Sequence, residues 1–210
     1  MKAFFVVSIL ILTVITSFSQ ESAKPDPVAM RANAQKILRE TPHRVSMTIE
    51  IRDTADSDWQ LYSSHVKEVV GRDRWHWVSQ RGTSRRELIG IGDRTYEKMP
   101  DGNWRLQPPA KTYTGPTIHA IGKPVVETTV NEKKDGGSVI ETNGQSTLQI
   151  IRTGEVVNGD RQLKEWYDDN GRLTRVENEH FNFERKKLQR VTEVYEYDPS
   201  IKIEAPIENK

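Results

Sequence analysis

Five histidines and thirty acidic residues are the side chains with which acid–base or metal chemistry could be built here, and cysteine is absent. His43, His65, His76, His119 and His180 fall at no helical or hairpin spacing of a familiar metal motif. His65 and His76 lie on strands expected to pair, so a surface zinc site could be made from them, although ordinary sheet histidines have the same look. There is no HExxH, no GxSxG and no phosphate-cradling glycine loop, and Gly90-Ile91-Gly92 lacks the rest of a dinucleotide fingerprint. Carboxylates gather in Glu165, Asp168, Asp169, Glu177 and Glu179. A glycosidase would need two of them facing across a cleft, one desolvated enough to keep its proton. Strand alternation places Glu177 and Glu179 on one face, but alternating acids and bases also mark a solvated face. The expectation is no catalytic residue, no metal and no cofactor, with a carboxylate-dependent hydrolase as the remaining chemical alternative.

The elements that must position these residues are mostly strands. Asp26-Pro27 is a helix start, an N-cap acid followed by proline where its missing N–H costs nothing. Val28, Met30, Ala34, Ile37 and Leu38 then recur near helical spacing until Thr41-Pro42. From Arg44 the period becomes two, with Val45, Met47, Ile49 and Ile51 on one side. Similar segments follow at about 61–70, 74–80, 85–91, 94–99, 139–142, 147–152, 162–167, 173–180 and 188–197. Asp101-Gly102, Asp135-Gly136, Asn143-Gly144, Asn158-Gly159 and Asn170-Gly171 read as tight turns between them. A meander this long must curl into a barrel or half-barrel, or split into a sandwich. Pro108 to Val126 breaks the rhythm and reads as a long crossing loop with a helical turn at 117–121, a loop long enough to act as a lid. Ile201, Ile203 and Ala205 alternate as a short closing edge strand would.

The ends and the charge bound the compartment and the partners. Lys2, the apolar run Ala3 to Ile15 and the small-x-small triplet Ser17-Phe18-Ser19 predict a cleavable signal peptide over residues 1–19. The run is shorter than the roughly twenty residues of a membrane span, so no transmembrane anchor is expected after cleavage, and without cysteine there is no lipobox. A polar linker over 20–26 and a single domain over 27–210 follow, in a periplasmic or secreted protein. Lysine and arginine number 31 against 30 acids, which leaves no global basic field to attract nucleic acid.

Aromatic placement allows either a filled core or a binding cavity. Trp75 and Trp77 share one face of a strand, Tyr195 and Tyr197 share another, and Trp104 follows the Asp101-Gly102 turn. Large rings on a curved sheet fill a core or line a cavity for an apolar ligand.

The segment Ile91-Gly92-Asp93-Arg94-Thr95-Tyr96-Glu97-Lys98 with Asp101-Gly102-Asn103-Trp104, and the ending Tyr197-Asp198-Pro199-Ser200-Ile201-Lys202-Ile203-Glu204-Ala205-Pro206, resemble the periplasmic outer-membrane lipoprotein carrier (LolA-like) superfamily, including its LppX/LprG-like lipid carriers. The order of signal peptide, helix and long hairpins is similar too. The resemblance implies a mainly β (α+β) fold: a curved antiparallel sheet forming an incomplete barrel, its concave face covered by the N-terminal helix and a loop or short helix. It also implies a non-enzymatic role, holding a lipid or lipoprotein acyl chain. Trp75, Trp77, Ile89, Ile91, Tyr96 and Trp104, with Ile37 and Leu38 on the helix, are the expected lining. The alternative is an envelope interaction or sensor module that binds a polypeptide partner.

Overall fold

Asp26 starts the first element as expected. Its side chain accepts a hydrogen bond from the Val28 N–H at 2.9 Å, and α1 runs from Pro27 to Glu40, ending where the Thr41 N–H bonds the Ile37 carbonyl at 2.9 Å. The structure, a computed structural model, describes residues 25–108, 118–132, 137–150, 156–182 and 185–206. The expected signal peptide and most of the polar linker lie outside them. No helix among the described residues is long and apolar enough to cross a membrane.

The strands are β1 (His43–Arg52), β2 (Gln60–Val70), β3 (Arg74–Arg81), β4 (Ser84–Ile91), β5 (Arg94–Lys98), β6 (Trp104–Leu106), β7 (Ile118–Glu132), β8 (Ser138–Ile150), β9 (Val156–Asn158), β10 (Arg161–Tyr167), β11 (Leu173–Asn182) and β12 (Lys187–Tyr197). They form one antiparallel sheet in the order β6-β5-β4-β3-β2-β1-β12-β11-β10-β8-β7, with β9 pairing beside β8. Two meanders meet where β1 pairs with β12 along all ten residues of β1, His43 opposite Tyr197 and Arg52 opposite Leu188.

This order forces curvature. Laid flat, the path from β6 to β7 would part its edges by about 48 Å at the usual inter-strand spacing. The covalent link from Leu106 to Ile118 can reach only about 43 Å when fully extended. The sheet must therefore roll its edges towards each other, and since β6 and β7 do not pair, it is an incomplete barrel.

Pairing register sorts the side chains into two faces. One carries Glu68, His76, Glu87, Arg44, Glu50, Arg190, Glu177, Lys164 and Glu141, cross-linked by ion pairs such as Arg44–Glu68 at 2.7 Å and Arg190–Glu50 at 2.8 Å. On this face Trp59 lies between two guanidiniums, Arg52 at 4.2 Å and Arg190 at 4.6 Å from the ring centre. Pairs only half-buried contribute little each, but the alternation of acids and bases marks the more solvated face. The other face carries α1. Its core joins Ala34 to Ile140, Tyr167 and Leu173, flanked by Met30, Leu38, Val130, Val176 and Tyr195, and so draws on the helix and five successive strands. Ile140 is fully buried and Tyr167 is 2% exposed.

Three expectations are corrected. Residues 118–121 are not a helical turn: Ile118 to Ile121 pair with Thr147 to Ile150 in β7, and Gly122-Lys123-Pro124 sits in the register irregularity that follows, where a residue without N–H is tolerated. Residues 118–126 of the crossing segment are thus strand, and residues 109–117 lie outside the described residues. Asn143-Gly144 is not a turn, because β8 runs straight through it with β7 on one side and β10 on the other. Residues 201–206 are not a strand. The Asp198 N–H bonds the Pro42 carbonyl, and the Asp198 carboxylate takes the Ser200 N–H at 2.9 Å, which turns the chain out of the ladder. Ile201 and Ile203 are nevertheless buried.

Candidate functional site

On the helix-bearing face a cavity of about 300 Å³ opens where the helix core gives way to the β1–β3 hairpins. Leu38 closes it from α1. Its floor is His43, Val45 and Met47 of β1 and His65, Lys67 and Val69 of β2, and its flanks are Trp77 on β3 and Glu193 and Tyr195 on β12. Register explains the convergence: Val45 stands between Tyr195 and Lys67, and Lys67 is opposite Trp77. The apolar alternation of β1 thus becomes a floor only because β12 and β2 flank it.

The polar groups around this cavity are mostly spoken for. The Tyr195 hydroxyl donates to Glu193, and burial, with that carboxylate second, raises its pKa. His43 is buried, stands 6.4 Å from the Tyr195 ring and 6.1 Å from the Tyr197 ring, and donates Nδ1–H to the Thr41 carbonyl at 2.9 Å. Tyr197 donates to the Leu173 carbonyl at 3.0 Å, and burial pushes its hydroxyl up to about 12. His65 stacks on Trp77 with ring centres 5.4 Å apart, its Nε2 lies 3.0 Å from Ser63 Oγ, and desolvation lowers its pKa. Its Nδ1 is buried with no partner among the described residues. Burial thus keeps these hydroxyls as donors, and the cavity presents Lys67 as its lysine and Glu193 as its acid.

Deeper under the helix, the Arg31 Nε–H donates to Glu165 at 2.7 Å, an Arg31 NH2 group donates to Thr142 at 2.9 Å, and the Tyr167 hydroxyl donates to Glu165 at 3.3 Å. This cluster ties α1 to β8 and β10. Burial and the Glu165 charge raise the Tyr167 pKa, which keeps the phenol a donor.

Strand parity splits the eight lining residues expected from the sequence. Trp77 and Leu38 line the cavity, and Trp75 shares its face one pair along, opposite Gly90. Ile37 is half-buried on the helix and does not border the cavity. Ile89, Ile91, Tyr96 and Trp104 stand on the opposite face, because the Trp75–Gly90 and Trp77–Leu88 pairs give Gly90 and Leu88 to the cavity side. Sequence reasoning passed over His43, Val45, Met47, His65, Lys67, Val69, Glu193 and Tyr195. The alternation of β1 and the Tyr195–Tyr197 pair were the available signals, and they lacked only the β1–β12 pairing to join them.

The residues considered for chemistry do not converge. His65 faces the cavity, while His76 lies on the charged face between Glu68 and Glu87, each 3.2 Å away. Glu165 is held by Arg31. Glu177 and Glu179 project from the charged face towards Arg175, Arg52 and Arg190, and Asp168 caps its own turn through the Asn170 and Arg172 N–H groups. Among the described residues no three His, Asp or Glu side chains are grouped to hold a metal. A larger depression of about 450 Å³ lies over β4 and β5, but its walls are Arg85, Arg86, Glu87, Glu97 and Lys98, which pair with one another.

No family model and no curated protein matches the sequence. Among solved structures, the chain is similar over 80% of its length to 90% of a LolA superfamily protein from Nitrosomonas europaea, at 10% identity and a TM-score of 0.35. It is also similar over 82% of its length to 93% of a putative outer membrane lipoprotein-sorting protein domain from Vibrio parahaemolyticus, at 8% identity and a TM-score of 0.31.

Proposed function

We propose that this chain is an exported, non-enzymatic binding protein that shelters an apolar ligand, an acyl chain of a lipid or lipoprotein, on the helix-bearing face. The observation that carries the reading is the cavity between Leu38 and Trp77, whose floor is the apolar row of β1. Its volume is at the lower end of small-molecule sites. Each methylene withdrawn from water contributes about 0.8 kcal/mol, so a chain of ten would gain roughly 8 kcal/mol before the cost of immobilising it. Trp75 and Trp77, the tryptophans of the helix-bearing face, are both half-buried, which suits rings turned to an interior better than rings offered to a partner. Residues 1–19 act as the signal peptide and 27–210 as one domain, delivered to the periplasm or the exterior.

The test is native mass spectrometry of mature protein purified gently from an envelope or culture fraction, followed by organic extraction. Co-purifying lipid and a mature N-terminus near Gln20 support the proposal. A bare protein mass together with no uptake of a fluorescent fatty acid overturns it.

A second reading, a polypeptide-binding envelope module, draws on β7. This edge strand has fifteen residues, with Val125 60% and Val126 58% exposed, and an added strand could pair along such an edge. A crosslink from β7 to an envelope protein would favour it.

A further inference from the structure

Resting on the apolar-ligand reading, we infer that the ligand carries an anionic head, a carboxylate or a phosphate monoester, and that Lys67 receives it at the mouth of the cavity. Lys67 borders the cavity yet is exposed, so its ammonium stands at the boundary between the apolar floor and water. Its Nζ lies 5.8 Å from the centre of the Trp75 ring, and its Cα partners are Val45 on one side and Trp77 on the other. No carboxylate among the described residues lies within ion-pairing distance of it, although the opposite face of the sheet carries such pairs in Arg44–Glu68, Lys164–Glu141 and Arg190–Glu50.

The other groups at the cavity fit the same occupant. Glu193, the acid of the lining, accepts the Tyr195 hydroxyl. That bond directs the carboxylate along its own strand and spreads its charge. His65, two residues before Lys67 and on the same face, has a buried Nδ1 with no partner among the described residues, a further hydrogen-bonding atom for the oxygens of a head group. A chain that filled the cavity from Leu38 to Trp77 would leave its terminus at this rim. There an anion completes the lysine, whereas an amine would meet like charge and an alcohol would gain one neutral hydrogen bond.

The test compares four twelve-carbon probes below their micellar concentrations: dodecanoate, dodecyl phosphate, dodecanol and dodecyltrimethylammonium. Each displaces a solvatochromic apolar dye from the mature protein and from Lys67→Met and Lys67→Glu. In the unsubstituted protein the anionic probes should bind about tenfold tighter than the alcohol, the range of a partly exposed charge-assisted hydrogen bond, and the cation should bind weakest. Lys67→Met should erase the preference while keeping alcohol affinity, and Lys67→Glu should reverse it. Carboxylate and phosphate arms of unequal strength would identify which head is native. Equal affinity for all four probes overturns the inference and leaves the apolar-ligand reading standing. Failure of all four to displace the dye, or of the dye to bind, overturns that reading itself. Lys67 is exposed, so circular dichroism should show both variants folded; a preference unchanged in folded Lys67→Met also overturns the inference.

Discussion

The indole of Trp75 occupies the space that a side chain on Gly90 would need: a Cβ there would stand 2.2 Å from both Cε2 and Nε1 of the ring. Gly90 is buried opposite Trp75 in the β3–β4 ladder, so its lack of a side chain lets a large ring lie over the neighbouring strand. Gly90→Ala should force the ring out of its place and cost roughly 1–3 kcal/mol, the usual range for overpacking. Urea unfolding measures it, and an unchanged midpoint would mean that the ring has room to move.

Arg31 and Glu165 clamp the helix to the sheet. The Glu165 side chain is 12% exposed and that of Arg31 is 32%, so the acid depends on this cation more than on water. Arg31→Met should cost about 2 kcal/mol, less than for a fully buried pair because the guanidinium is partly wet. Arg31→Met combined with Glu165→Leu should recover most of the loss, since removing both charges spares the desolvation of an unpaired one. A double variant no more stable than the single one, in thermal melts, would count against this account.

Met47 lies on the cavity floor and is only half-buried. Met47→Trp should fill the space at a cost of no more than about 1–3 kcal/mol, the range for a small-to-large change, and lower the affinity for a fluorescent fatty acid at least tenfold. Undiminished uptake by the folded variant would place the ligand elsewhere.

Stability should fall on mild acidification. Desolvation lowers the pKa values of His65 and His180, and Arg161 adds to the effect at His180. Their folded values therefore lie below the ordinary histidine value, near 6.5. Between the two values the unfolded chain binds more protons than the folded one, so stability is complete above about pH 6.5 and declines as pH falls towards the folded values. Replacing both histidines with glutamine should flatten that slope in denaturant titrations between pH 7 and 5. A slope that survives would assign it to other groups. Glu68, where desolvation is outweighed by the bonds to Arg44 and His76 together so that its pKa is lowered, acts in a separate window. Its contribution is present above the ordinary glutamate value and disappears as pH falls below it.

Much of this architecture was legible in local sequence. Asp26-Pro27 and Thr41 mark the helix ends because capping needs only the side chain and N–H groups within a few residues. Trp75 with Trp77, and Tyr195 with Tyr197, share faces because the pleat repeats every two residues. The pairing of β1 with β12, which sets Val45 beside Tyr195 across 150 positions, has no local signature, and without it the cavity has a floor but no wall. Asn143-Gly144 carries a turn signature that two flanking strands override, while 118–121 became strand by pairing with a segment thirty residues on. Period-two alternation shows which residues of one strand travel together, but not which face meets the helix. That choice rests on contacts such as Ala34 with Ile140 and Arg31 with Glu165, and it decides that Trp77 looks into the cavity while Ile89, Ile91, Tyr96 and Trp104 look away.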